Sequence, residues 1–216
     1  MRSILVLMVG AVVLGGVANA QTNAPATSKG YVEGVAQSAF GNVVSQSFGA
    51  EMGVSVAERV EILVEGGRMR DVAAPEIGAA AQKIGDFLSR TQGGAVSYHV
   101  KQPVTFGAAG VKFLIPVKSK LQPYVMAGGG IAKVKQDVTF AVGGTDVTDN
   151  MAQYGVVLGT DLSGDFTKAM ATFGGGIVWP MWQRLVVDFQ YRYGRIFAED
   201  QGINVNRAGV GVGVRF

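Results

Sequence analysis

The sequence predicts an all-β protein, an eight-stranded antiparallel up-and-down transmembrane β-barrel, and three observations support this fold class. The last ten residues, 207–216, alternate strictly: alanine, valine and phenylalanine share one side, and arginine or glycine the other. This two-residue period indicates a strand between two environments, as in a barrel with lipid outside and a lumen inside. The other two observations are the even number of such segments and the alternating lengths of their connections.

The amino terminus has the three-part pattern of a secretory signal peptide. A short basic region precedes an apolar stretch that runs to Val17, and Ala18-Asn19-Ala20 is a small-x-small cleavage site. The apolar stretch, at roughly 14 residues, is shorter than the ~20 that a membrane-spanning helix needs. We expect residues 1–20 to be removed, residues 21–29 to form a disordered polar lead-in and residues 30–216 to form the barrel domain.

Composition and charge limit the possible classes of function. The chain has no cysteine, so the fold cannot depend on disulfides and no lipid-anchored cysteine follows the cleavage site. Removal of residues 1–20 takes away Arg2 and no acid, which lowers the formal net charge from +3 to +2. No segment is dense enough in lysine and arginine to bind nucleic acid, so no nucleic-acid partner is expected.

Eight segments alternate like barrel strands, and most are ~9–11 residues long, the length that a tilted strand needs to cross the hydrocarbon layer. They cover residues 30–38, 48–56, 60–70, 105–117, 123–135, 169–179, 184–193 and 206–216. In the fifth segment, Tyr124, Met126 and Ala132 are expected on the outer face, and Lys133 and Lys135 are expected to point inward.

The connections between the segments alternate in length. The second, fourth and sixth are a few residues long, whereas the third and fifth, at about 71–104 and 136–168, are long. Short turns at one end and long loops at the other are typical of outer-membrane barrels, with turns in the periplasm and loops outside the cell. The even strand count places both termini at the turn side. Closure is required because an open sheet edge would leave backbone groups unpaired in lipid.

The inward positions of the predicted strands carry charged side chains. The expected lumen charge network consists of Glu33, Glu51, Glu65, Lys112, Lys133, Asp188, Arg192 and Arg207. An eight-stranded barrel is just wide enough for side chains to fill it, and charges buried there must be paired. Two interpretations remain open: a narrow ion path gated by these pairs, or a plugged interior held together by them. The small barrel favours the plugged interior.

Aromatic residues cluster near the strand ends, as two interfacial girdles would. The residues assigned to the girdles are Tyr124, Trp179 and Trp182 at the turn side, and Tyr191 and Tyr193 towards the loops. The alternative is that these are core aromatics of a β-sandwich. Girdles are favoured because polar residues occupy the opposite face of the same strands.

One helical pattern lies in the longest connection. Residues 75–90 place Ile77, Ile84 and Leu88 in an apolar stripe at helical spacing, and Pro75 suits the first turn. The expected role is a cap that packs this stripe onto the barrel rim or the neighbouring loops. The alternative role is a lid over the lumen or a helix that binds a partner.

No pattern marks a catalytic, cofactor-binding or metal site. His99 is the single histidine, and with Ser97 it would need an acid at the same place to form a hydrolytic set. Asp146, Asp161 and Asp165 could offer oxygen ligands to Ca²⁺ but lack the EF-hand spacing. We therefore expect an exposed loop histidine, aspartates in turns, no cofactor and no enzymatic activity.

Four motifs make the chain resemble the barrel domain of the OmpA-type family of eight-stranded outer-membrane proteins. They are residues 123–130 (PYVMAGGG), 174–176 (GGG) and 188–193 (DFQYRY), and the Gly-Val repeat that ends in Phe216. The resemblance is good over about 120–216 and rests on pattern alone over 30–117. It implies a location in the bacterial outer membrane with both termini in the periplasm. It also implies that Phe216 is read by the outer-membrane assembly machinery.

These expectations combine into an integral outer-membrane β-barrel protein of structural or surface-interaction type, with a narrow or plugged charged lumen. A minor porin-like channel for small solutes is the first alternative. An enzyme that modifies envelope lipids is the second. The expected partners are outer-membrane lipids and the assembly machinery, and the chain is expected to be a monomer.

Overall fold

Eight strands form a closed antiparallel barrel in the computed structural model, which describes residues 29–159, 162–198 and 202–216. This confirms the predicted fold class. The expected signal peptide, residues 1–20, and the expected lead-in up to residue 28 lie outside the described residues. No helix within the described ranges is both long and apolar enough to cross a membrane.

The described residues contain ten strands, one α-helix and one 3-10 helix. The strands are β1 (Gly30–Phe40), β2 (Ser45–Ala57), β3 (Val60–Met69), β4 (Val96–Lys101), β5 (Val104–Leu114), β6 (Gln122–Val142), β7 (Thr145–Asp146), β8 (Ser163–Pro180), β9 (Leu185–Ile196) and β10 (Ile203–Arg215). The helices are α1 (Pro75–Gln92) and a 3-10 helix over Thr148–Tyr154.

The barrel runs in the order β1, β2, β3, β5, β6, β8, β9 and β10, and each strand pairs antiparallel with its neighbours. Pairing of β1 with β10 closes the ring, with Tyr31 opposite Arg215 and Phe40 opposite Asn206. The short strands β4 and β7 lie outside the ring and pair with the far part of β6. The ring satisfies the requirement that a sheet in lipid has no open edge.

The two ends of the barrel differ in their connections. Residues 58–59, 115–121 and 181–184 connect strands at one end, which we call the turn end. Gly30 and Phe216 lie there too, and the backbone N–H of each donates to the carbonyl oxygen of the other at 3.0 Å. The opposite end, which we call the loop end, carries the long connections from β3 to β5 and from β6 to β8.

The loop end contains more regular structure than the sequence predicts. β6 has 21 residues and β8 begins at Ser163, so much of the loop expected at 136–168 is strand. The predicted helix at 75–90 is confirmed as α1. Strand β4, which follows α1, is not among the predicted strands, because it lies outside the barrel and its pattern covers only six residues.

α1, β4, the far part of β6 and the 3-10 helix pack into a folded unit at the loop end, which we call the cap. Its buried core consists of Ala81, Leu88, Val138, Phe140, Val147, Met151 and Leu162. Pro75 opens α1, and Gly93, with a φ of 62°, ends it in the left-handed conformation. Gly85 lies so close to the ring of Tyr98 that an added Cβ would come within 3.1 Å of it.

The barrel interior has three layers along its axis. An apolar layer at the loop end is drawn from β1, β3, β5, β6, β8, β9 and β10 and includes Met69, Val104, Phe106, Val134, Met170, Ile196 and Val205. A second apolar layer, at the turn end, includes Leu63, Met126, Val178 and Val186. Most buried charged side chains, with the amides Gln37 and Gln190, lie between these layers and form the polar layer, which Glu61 extends past Leu63 towards the turn end.

The phase of β6 in the barrel is the reverse of the predicted one. Tyr124, Met126 and Ala132, expected outside, are buried, whereas Val125 and Ile131 are 50% and 61% exposed. Both alternating sets of this strand are mostly apolar or glycine, so polarity does not fix which set faces lipid. The interior at each end is apolar, which allows this set to pack inward.

Candidate functional site in the barrel interior

Glu51 of β2 lies at the centre of the polar layer and binds two cations. Lys112 Nζ lies 2.7 Å from its Oε1, and Arg192 Nη2 donates to its Oε2 at 2.9 Å. The hydroxyl of Tyr31 donates a third hydrogen bond to Oε1 at 2.5 Å. All four side chains are buried. Charge-assisted bonds from strands on both sides of β2 therefore compensate the burial of this carboxylate.

The strand register explains why acids and bases face each other across the lumen. Glu33, Glu51 and Glu65 lie side by side on β1, β2 and β3 because they are direct cross-strand partners. Arg192 and Arg207 are likewise partners on β9 and β10. Three glutamates thus line one part of the wall and two arginines another, and the long side chains bridge the space between them.

Tyr31 reaches Glu51 across a glycine. Gly53 is the partner of Tyr31 on β2, and a Cβ at Gly53 would lie 2.3 Å from Cε1 of the tyrosine ring. A glycine is needed here because the ring covers the strand. Lys112 Nζ lies 4.2 Å from the centroid of this ring and 4.5 Å from that of Tyr124, so two aromatic faces and one carboxylate hold it.

Asp188 of β9 joins the same network through side-chain hydrogen bonds. The hydroxyl of Tyr124 donates to Asp188 Oδ2 at 2.7 Å and accepts from Arg192 Nη1 at 3.2 Å. Gln190 Nε2 donates to Glu33 Oε1 at 3.2 Å and to Asp188 Oδ2 at 3.4 Å. One tyrosine and one amide thereby connect three charged residues.

Arg207 of β10 links the polar layer to the apolar layer at the loop end. Its Nη2 donates to Glu65 Oε1 at 3.1 Å, and its guanidinium lies 4.4 Å from the ring centroid of Phe106. A void of about 10 Å³ lies beside Glu51, Glu65 and Arg207. This volume holds about one water molecule.

The polar layer is closed to solvent. Its charged residues are five acids and three cations, Glu33, Glu51, Glu61, Glu65, Asp188, Lys112, Arg192 and Arg207, and each exposes 6% or less of its surface. Side chains that line a water-filled channel would be exposed to that water. The arrangement therefore suits a packed plug held by ion pairs and hydrogen bonds, with no surface offered to a substrate in the lumen.

Two residues assigned to sites from the sequence lie elsewhere. Lys133, expected in the lumen network, is on the outer wall with its Nζ 2.5 Å from Asp165 Oδ2, and Lys135 also faces outward. Tyr124, expected in an aromatic girdle, is inside the barrel. Both corrections follow from the reversed phase of β6, which exchanges its inner and outer faces.

The other girdle residues and the terminal phenylalanine lie on the outer surface. Trp179 and Trp182 are exposed at the turn end. Tyr191 and Tyr193 lie on the outer wall towards the loop end, where their hydroxyls donate to Asn206 and to Asn204. Phe216 is exposed at the turn end. Their roles at lipid interfaces and in assembly stay predictions.

Five residues of the polar layer were not in the predicted lumen network: Tyr31, Gln37, Glu61 and Gln190, and Tyr124, which was assigned to a girdle. Gln37 Nε2 donates to Gln190 Oε1 at 3.0 Å in the buried interior. A parity signal was present, since Tyr31 and Gln37 share the two-residue parity of Glu33 on β1, and Glu61 shares that of Glu65 on β3. Parity with Asp188 places Gln190 inside in the same way.

His99 lies in β4, opposite Thr139, and is exposed. Ser97 shares its face of the strand, but no hydrogen bond between described residues joins the two. No group of three or more potential ligands that could hold a metal ion occurs in the described ranges. Asp146 instead accepts hydrogen bonds from Thr148, which hold the pKa of its carboxyl below the usual value.

Comparison with known proteins supports the fold. No protein-family model matches the sequence, and neither does any curated protein. Neisserial surface protein A is similar in structure, with a TM-score of 0.54 at 15% identity over 88% of this chain and 98% of that one. A major outer membrane protein from Thermus thermophilus has a TM-score of 0.52 at 8% identity, over 87% and 99%. The N-terminal β-barrel domain of Pseudomonas aeruginosa OprF has a TM-score of 0.46 at 18% identity, over 88% and 100%. The first two similarities, each with a TM-score above 0.5, show that the chain has the fold of the bacterial outer-membrane β-barrels.

Proposed function

We propose that this chain is an integral protein of the bacterial outer membrane with a closed interior, which presents its cap at the cell surface for contacts with other molecules. We place it among the OmpA-type barrels, as a monomer with both termini in the periplasm. Its partners are outer-membrane lipids and the assembly machinery that reads Phe216. It has no enzymatic activity.

The observation that carries the proposal is the reversed polarity of the barrel wall. Phe113, Phe173 and Phe189 are about half exposed on the outside, while arginines, a lysine and carboxylates are buried within. A water-soluble protein of this size would place these groups the other way round. Lipid on the outside and ion pairs on the inside make the arrangement stable.

The height of the apolar wall fits a bilayer. The outward positions of β8 stay apolar or glycine from Trp179 to Ala169, and polar Thr167 and Asp165 follow. Ten residue steps of ~3.3 Å, in a strand tilted by ~40°, span about 25 Å, the height of the apolar band of outer-membrane barrels.

The cap supports a role in surface contacts. β6 continues well beyond the apolar wall, and its far part forms a core with α1 and the 3-10 helix. A folded unit on rigid strands presents a defined surface, whereas loose loops would not. Phe87, Tyr98 and His99 lie exposed on this unit.

Gel mobility and bilayer recordings test the proposal. The folded protein in mild detergent should migrate differently from the boiled protein, and vesicle-inserted protein should give no steady conductance. Identical mobility before and after boiling would remove the membrane barrel. A stable open state would replace the closed interior with the porin-like alternative. Lipid A deacylation that is lost in His99→Ala would establish the enzyme alternative instead.

A further inference from the structure

Exposed cations surround the turn end of the barrel. Lys29, Arg59, Lys118, Lys120 and Arg184 are all exposed, and we call these five residues the cationic rim. None of the ion pairs between described residues includes a rim cation. Glu58 is the exposed acid among the turns that carry these residues.

Strand pairing distributes the rim around the barrel mouth. The carbonyl oxygen of Lys29 accepts from the N–H of Ser55. That of Arg59 accepts from Leu114, just before the turn with Lys118 and Lys120. The carbonyl oxygen of Arg184 accepts from Arg215, next to the carboxyl terminus. The cations therefore follow the circumference, as expected for a surface that meets a plane of anions.

Apolar side chains project beside the rim cations. Val117, Leu121 and Met181 are exposed in the turns, and Trp182 exposes 77% of its surface. Trp179 is the last outward apolar residue of β8 at the turn end of the apolar wall. Tryptophan with nearby lysine and arginine is the combination that anchors proteins at the headgroup level of a bilayer.

We infer that the cationic rim binds the phosphate groups of anionic phospholipids in the leaflet at the turn end. An open cleft of about 380 Å³ lies between the β2–β3 and β5–β6 turns, with Arg59 and Lys120 in its lining beside Glu58 and Gln122. Two cations outweigh the one carboxylate there, so the cleft suits a phosphate diester whose acyl chains lie along the wall. The inference rests on the proposed membrane location.

The cations at the loop end are arranged differently. Lys133 and Lys135 each lie within ion-pair distance of an aspartate. Asp71, Glu76, Asp86, Asp137, Asp146, Asp149 and Asp165 add negative charge at this end. Exposed cations outside these ion pairs, such as Lys83 and Arg90, are therefore mixed with seven acids at the loop end, whereas the five rim cations share the turns with one exposed acid. A preference for anionic lipid should come mainly from the turn end.

The chain carries its own probe for this site. Its two tryptophans, Trp179 and Trp182, are both at the turn end, so quenching by brominated lipids reports on lipid there. We would reconstitute the full mature chain in vesicles with brominated phosphatidylglycerol or brominated phosphatidylcholine. The protein should prefer phosphatidylglycerol, and R59Q/K120Q should lower that preference by up to about fivefold per charge removed. The matched control K83Q/R90Q removes one lysine and one arginine from exposed positions on α1 and should retain it.

Two outcomes would overturn the inference: an equal preference in wild type and R59Q/K120Q, or an equal loss in K83Q/R90Q. Replacing chloride by inorganic phosphate at equal ionic strength separates lipid from free anion. An unchanged preference supports a lipid headgroup site, and specific displacement by phosphate contradicts it. Gel mobility of each variant is recorded in parallel. If folded and boiled protein still migrate differently but show no lipid preference, this inference alone is wrong. If wild type loses that difference in mobility, the proposed function is wrong as well.

Discussion

At the residue scale, Glu51 is the side chain on which most of the interior depends. Lys112 and Arg192 have no other carboxylate partner among the ion pairs of the described residues, and both are buried. A buried cation that loses its partner keeps its desolvation cost, so the consequence exceeds that of losing a surface ion pair. Tyr31 and Tyr124 would still contact the lysine with their ring faces.

We therefore expect Glu51→Ala to lower the free energy of unfolding by ~3–5 kcal/mol, the usual effect of breaking a buried pair. Urea unfolding of the protein in detergent micelles or vesicles measures this. Glu58→Ala, in an exposed turn, is the control and should change stability by less than ~0.5 kcal/mol. Equal stability of the two variants would contradict the role of Glu51.

A second residue-scale prediction concerns the outer wall. Val212 of β10 points outward and is exposed between Gly34 and Val187 on the neighbouring strands. Val212→Arg should cost ~2–4 kcal/mol, because the charge would enter the apolar part of the bilayer. Val44→Arg, in the exposed β1–β2 connection, should have little effect. Unfolding in vesicles compares them, and a small cost at Val212 would argue against lipid at this height.

Side-chain parity shows what could be learned from single residues. Glu51, Lys112 and Arg192 could be placed inside because each alternates with an apolar set of residues on its own strand. Lys133 satisfies the same rule but lies outside, since β6 extends past the apolar wall and Asp165 on β8 pairs with it. The rule fails where a strand extends beyond the membrane, and no sequence signal marks the position along β6 at which this happens.

At the element scale, β6 was the hardest strand to interpret. Its central glycines leave both faces small, so neither the phase nor the end of the strand has a clear pattern. Its length becomes understandable only with its neighbours: Val138 and Phe140 are buried against α1 and the 3-10 helix. Such contacts are between residues distant in sequence, which a local pattern cannot reveal. The helix, by contrast, was predictable because its apolar stripe and Pro75 are local signals.

The cap should be able to unfold without the barrel. Leu88 of α1 is completely buried in the cap core, so Leu88→Ala should cost ~2–5 kcal/mol in local stability. Faster hydrogen exchange and proteolysis confined to 75–101 would show this, with gel mobility unchanged. Phe87→Ala, its exposed neighbour, is the matched control. If both variants lost the barrel fold, the cap and the barrel would be one cooperative unit.

At the scale of the whole molecule, the three interior layers determine whether solutes can pass. Only the middle layer is polar, and the layer at the loop end is drawn from seven strands. The gated ion path considered from the sequence treats the charge pairs as the barrier. The packed apolar layers add barriers above and below those pairs, which no charge pattern indicates. The structure therefore favours a plug that does not depend on Glu51 alone.

This difference can be measured with single variants in planar bilayers. If the ion pairs were the gate, Glu51→Ala or Lys112→Ala should open a steady conductance. If the apolar layers also close the barrel, each variant should remain closed despite its lower stability. Phe106→Ala combined with Glu51→Ala removes material from two adjacent layers, and Phe113→Ala with Glu51→Ala is the control, since Phe113 faces outward. Conductance only in the double variant with Phe106→Ala would show that the polar layer and the apolar layer at the loop end both close the barrel. Conductance in Glu51→Ala alone would contradict the closed interior.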